Sequence, residues 1–148
     1  MKRHISAGLY CSVIAIIAAV VGLVEYFVNA GTNYFKSMGT NPVVIATLII
    51  AIVLLVCNVV VGMKSTPKWL DILPVASVIF ANVAVANFIS NRVNAIAAII
   101  TFENNASNMA DLQSAIVGIA AMIVAILLTI IAAFFDVSKE ATVVVETE

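Results

Sequence analysis

The sequence predicts an all-α, polytopic membrane protein, a four-span antiparallel helical bundle with both termini cytoplasmic. Three observations carry this reading. Hydrophobic residues make up 64% of the 148-residue chain and charged residues only 10%, which is more apolar surface than one soluble core of this size hides. Four apolar runs stand out, at residues 5–29, 42–63, 72–90 and 109–135. Each approaches or exceeds the ~20 residues that carry a helix across a hydrocarbon core of ~30 Å. Lys2, Arg3, Lys64, Lys68 and Lys139 fall on one side of the resulting alternation, against Lys36 and Arg92 on the other, and this excess marks the cytoplasmic side. The expected location is the plasma membrane, with multiple passes and the lipid bilayer as first partner.

The first run follows Lys2, Arg3 and His4 and ends near Val28-Asn29-Ala30, an arrangement that resembles a secretory signal. Its apolar stretch exceeds the ~7–15 residues of such a signal, so it is read as the first span. Gly31, Thr32 and Asn33 then form a polar turn, with Tyr34 and Phe35 at the membrane interface. Asn41 is a candidate cap for span two and Pro42 suits its first helical position. The short basic connection from Lys64 to Trp69 turns the chain back, so span three lies antiparallel beside span two. Asp71 is a candidate cap for span three, and Asn108 with Asp111 three positions later is a candidate cap for span four. Residues 1–135 therefore form the membrane bundle and residues 136–148 an acidic cytoplasmic tail, whose valine run at 142–145 could pair as a short strand.

Small residues mark the faces on which membrane helices meet, because they let backbones approach closely. Span one carries Gly8, Cys11, Ala15, Ala18, Gly22, Glu25 and Asn29 on one face, and span two carries Thr47, Ala51, Leu54, Asn58 and Gly62. Span four carries Ser114, Gly118, Ala121, Ala125, Thr129 and Ala132, and the faces of spans two and four are expected to pack closely together. Span three aligns Ala76, Phe80, Val83, Asn87, Asn91 and Asn94, with Asn82 to one side. Cys11 and Cys57 both lie within spans and are expected to be isolated thiols.

Two readings of the polar residues stand side by side. In one, the asparagines are interhelical hydrogen bonds, and Glu25 forms an ion pair with Arg92 or Lys36 near the outer surface. In the other, Glu25, Asn82, Asn87, Asn91 and Arg92 line a polar cavity for a small solute or cation, and Glu25 is a proton-coupling candidate. The stretch 95–100, Ala-Ile-Ala-Ala-Ile-Ile, is too short to span and too apolar for a solvated loop. It either prolongs span three beyond the membrane or lies in the interface as a short helix. Ile96, Ile99 and Ile100 form the candidate partner surface.

No nucleophile with its base, phosphate-cradling loop or metal-ligand spacing occurs, and the sole histidine, His4, sits among basic residues. No catalytic residue, cofactor or metal is expected, and a net charge of −1 with no basic cluster argues against nucleic acid. The expected function is that of a non-catalytic scaffold or accessory subunit, which binds itself as a homo-oligomer or a larger membrane partner. The alternative is a small oligomeric transporter or channel for a polar solute or cation that uses Glu25 and the span-three asparagines. The segment Gly31-Thr32-Asn33-Tyr34-Phe35, and the segment from Ser90-Asn91-Arg92-Val93 to Thr101-Phe102, resemble stretches of small uncharacterised four-span membrane proteins of Gram-positive bacteria. That resemblance implies the fold and transfers no catalytic residue. In size, span number and a glutamate in span one the chain is also similar to the small multidrug-resistance transporters, although its glutamate lies near the far end of the span and the aromatic-rich glycine motifs of that family are absent.

Overall fold

In the computed structural model, which describes residues 3–65 and 67–140, four helices account for most of the chain: α1 (Ala7–Gly31), α2 (Pro42–Lys64), α3 (Ile72–Thr101) and α4 (Ala106–Ala132). All four are long and apolar enough to cross a membrane, which makes this a multi-pass membrane protein by length and composition. Their apolar side chains are exposed along most of the surface, including Ile17 and Val24 on α1, Val53 on α2, Ile79 on α3 and Leu127 on α4. In water such a surface would be unstable; in lipid it is solvated.

The buried positions follow one rule. On α1 they are Gly8, Ser12, Ala15, Ala19, Gly22, Tyr26 and Asn29, and on α2 Val44, Leu48, Ala51, Leu55, Asn58 and Gly62. These steps alternate between four and three residues, and Ala115, Gly118, Met122, Ala125, Thr129 and Ala132 of α4 repeat the pattern. A mean spacing of ~3.5 residues keeps one seam facing its neighbour along the whole helix, as in left-handed coiled coils and most membrane bundles. The helices pack most extensively as α1 with α4, then α2 with α3, then α3 with α4, while α1 meets α2 least.

The small stripe of α4 therefore meets α1 and not, as the sequence suggested, the stripe of α2. The α1/α4 contact depends on missing side chains. A Cβ on Gly22 would lie 2.6 Å from Met122 Cγ, and one on Gly118 would lie 3.1 Å from Phe88 Cε1 and 3.2 Å from Glu25 Cβ. Between α2 and α3, Ser77 Oγ donates to the Ala51 carbonyl at 2.9 Å in the buried seam. Tyr26, Leu48, Phe88 and Met122 fill the middle of the core, with Tyr26 and Phe88 edge to face at 4.8 Å between centroids.

At one end of the bundle the chain termini meet. Strand β1 (Arg3–Ile5) pairs antiparallel with β2 (Ser138–Glu140), and Ser6 Oγ donates to the carbonyl of Asp136. This is the terminal end; the connections 32–41 and 102–105 lie at the other, the loop end. The valine run 142–145 lies outside the described residues.

Two boundaries and one cap differ from the sequence reading. Helix α3 does not end near Ser90 but continues through Arg92 to Thr101, because residues 95–100 contain no breaker and find apolar neighbours. Helix α4 starts at Ala106, capped by Asn105, whose Oδ1 accepts from the Asn108 backbone N–H at 2.9 Å. Asn108 is thus inside the first turn and not the cap. Asp71 precedes α3 without a side-chain cap bond, whereas Asn41 does cap α2 by accepting from Val43 N–H at 2.9 Å. Cys11 and Cys57 are both free.

Close approach at Gly22 gives a direct test. Gly22→Val is expected to destabilise the bundle by about 1–3 kcal/mol through overpacking against Met122. Gly31→Ala, where nothing lies within 4 Å of an added Cβ, is expected to be near neutral. Thermal melting in detergent reads both, and equal effects would contradict the packing.

Candidate functional site

The polar residues singled out by sequence do not converge. Glu25 is half-buried against α4, where it lines a groove with Ala110, Gln113, Ser114 and Val117. Asn82 is exposed on α3 and Asn87 half-exposed, and each donates its Nδ2 to the carbonyl four residues earlier, Val78 at 2.8 Å and Val83 at 2.9 Å. Helical amides facing outward commonly satisfy themselves in this way. The buried line of α3 runs instead through Pro74, Ser77, Ala81, Ala84, Val85 and Phe88, so the asparagine line is rotated off the core.

Arg92 and Asn91 line one cavity together. Arg92 is 1% exposed, and its Nη2 donates to the Gly39 carbonyl at 2.6 Å. Its Cζ lies 5.5 Å from the centroid of the Phe35 ring, within cation–π range. The expected pairing with Glu25 is therefore corrected: the guanidinium faces the α1–α2 connection, whereas Glu25 faces α4. Gly39, at φ 62°, holds the left-handed conformation that glycine tolerates best, and its carbonyl is the acceptor for Arg92.

Several further contacts hold that connection down. Phe35 is fully buried with Ile99 and Leu112. The Asn41 backbone N–H donates to Tyr26 Oη at 2.5 Å, and the Tyr34 backbone N–H donates to Asp111 Oδ2 at 2.9 Å. Below it, Asn29 Nδ2 donates to Ser114 Oγ at 3.1 Å across the α1/α4 seam. Beside Arg92 a cavity of about 430 Å³ opens between Tyr26, the segment from Met38 to Asn41, and Asn91.

The candidate partner surface is also corrected. Ile99 is fully buried under Phe35 and Ile96 is half-buried against both apolar clusters, which leaves Ile100, 55% exposed, as the most accessible of the three isoleucines. Helix α3 needs those side chains to hold the connection, which is why the apolar stretch neither floats nor lies flat. Sequence reasoning missed Phe35, Gly39 and Asp111 as organising residues. A phenylalanine followed four residues later by a glycine in the ten-residue connection 32–41 was the available signal.

Among the described residues, no group of three or more His, Cys, Asp or Glu side chains is placed to hold a metal ion. A scan against family models, a search of curated proteins and a search of solved structures each find no match.

Tyr34 reports on how the two loop-end connections meet. A hydrogen bond from its phenol to Glu103, reinforced by desolvation and the carboxylate charge, pushes its pKa above the ordinary 10. The protonated phenol is the favoured form, so its contribution is present at neutral pH and lost as pH rises through the folded-state pKa. Glu103→Gln is expected to lower the Tyr34 pKa in a spectrophotometric titration, with Tyr34→Phe as the reference that identifies its signal. An unchanged titration would contradict the contact.

Proposed function

We propose that this chain is a non-catalytic accessory or scaffold subunit of the plasma membrane, with its loop end outside and both termini cytoplasmic. It associates through the lipid-facing side of α3 with a second copy or a larger membrane protein. One observation carries the reading. Asn82 is exposed ten residues into α3, about 15 Å along its axis and hence near the middle of a ~30 Å hydrocarbon core. Its Nδ2 is used by Val78, and its Oδ1 has no partner among the described residues.

An amide carbonyl left facing lipid is unfavourable, and a partner helix relieves it with an interhelical hydrogen bond of about 0.6–2 kcal/mol. Ile79, Ala86, Ser90 and Val93 continue the same exposed face, and Ala86 and Ser90 are small enough for another backbone to approach. The separation of Glu25, Asn82 and Arg92 onto different faces favours this reading over transport, which needs them around one cavity.

Asn82→Leu is expected to weaken self-association or partner retention in mild detergent by about 3- to 30-fold, the range that interhelical bond energy implies. Recovery of wild-type protein as a clean monomer with no companion would overturn the proposal. Orientation is tested in a background lacking Cys11 and Cys57. Lys36→Cys should be labelled by an impermeant reagent added outside and Lys64→Cys should not; the reverse pattern would invert the topology.

A further inference from the structure

Arg92 is the one charged side chain buried among the described residues. A buried guanidinium requires both hydrogen bonds and a counter-charge, since desolvating an unpaired ion is costly. Its neighbours supply only part of this. The Gly39 carbonyl accepts one bond and the Phe35 ring offers its negative face, but among the described residues Nε has no partner and no carboxylate faces the group.

The nearby acids are engaged elsewhere. Glu25 lines the groove against α4, Asp111 accepts from Tyr34 N–H, and Glu103 interacts with the Tyr34 phenol. The cavity of about 430 Å³ next to Arg92 is lined by the polar but uncharged side chains of Tyr26, Thr40, Asn41 and Asn91. Hydroxyls and amides can donate to an anion, and no negative side chain repels it.

Depth along α3 narrows the ligand class. Arg92 lies twenty residues after Ile72, about 30 Å of helix rise, which sets it at the far boundary of the hydrocarbon core where headgroup phosphates begin. We propose that this cavity binds a phosphate-type oxyanion, which neutralises Arg92 while Asn41, Asn91 and Thr40 complete its hydrogen bonds. A phospholipid headgroup and free phosphate share this chemistry.

The test uses the full chain purified in an uncharged detergent. Its melting temperature is followed with inorganic phosphate, with chloride at equal ionic strength, and with mixed micelles containing either phosphatidylglycerol or an uncharged monoacylglycerol. Near one hundred times the dissociation constant, the correct source is expected to raise the melting temperature by about 5–10 °C. A response to inorganic phosphate assigns a free oxyanion, and a response to phosphatidylglycerol alone assigns the headgroup. Because Arg92→Gln removes a fixture of the fold and can fail to assemble, Asn91→Asp at the exposed rim is the second variant. It places a carboxylate in the cavity, so it is expected to raise the unliganded melting temperature and abolish the response. No response to either source in the wild type, or a full response surviving in Asn91→Asp, would overturn the proposal.

Discussion

In lipid, α1 and α4 gain little from hiding apolar side chains against each other, since acyl chains solvate those side chains equally well. Their association rests on how closely two backbones can approach, and Gly22 and Gly118 set that limit. Once those helices are in contact, Asn29 lies beside Ser114, Glu25 lies along Gly118, and the chain termini are brought to one end of the bundle. The alternation of four- and three-residue steps on α1, α2 and α4 extends the contact over the full helix length. Met122 and Phe88 pack directly onto Gly22 and Gly118, in the space that the missing side chains leave, and Tyr26 packs edge to face on Phe88.

The two ends are closed by different means. Backbone pairing of β1 with β2 closes the terminal end. At the loop end a ten-residue connection is drawn down by Phe35 in an apolar socket and by the Arg92 and Asp111 bonds. Polar fixtures are efficient there because the site lies where the dielectric changes from lipid to water, so each bond is strengthened without being buried at the membrane centre. Among the described residues no carboxylate faces Arg92, and the cavity of about 430 Å³ opens beside it.

Much of this was legible in the sequence because lipid restricts the options so strongly. Four apolar runs of about bilayer length admit few folds, and of the α1 stripe Gly8, Ala15, Gly22 and Asn29 are buried while Cys11, Ala18 and Glu25 are half-buried at its edge. Pairing of stripes was not legible, because the small faces of α2 and α4 are alike in composition and nothing local says which neighbour each will meet. The partner of Arg92 was hidden for a related reason. It is a backbone carbonyl, which every residue carries, so the charge of Glu25 drew the assignment instead. Asn82 and Asn87 looked like cavity residues because an amide in a span suggests burial, yet a bond to the carbonyl four residues earlier lets each face outward.

Disulfide trapping across the α1/α4 seam tests this account most directly. In a chain lacking Cys11 and Cys57, Asn29→Cys combined with Ser114→Cys should oxidise rapidly to an intramolecular bridge, because the native side chains are in hydrogen-bond contact at 3.1 Å. Asn29→Cys combined with Asn82→Cys, on the exposed face of α3, should not. Failure of the first pair to bridge, or equal bridging by the second, would contradict the α1/α4 packing on which the loop end, the Arg92 cavity and the exposed face of α3 all depend.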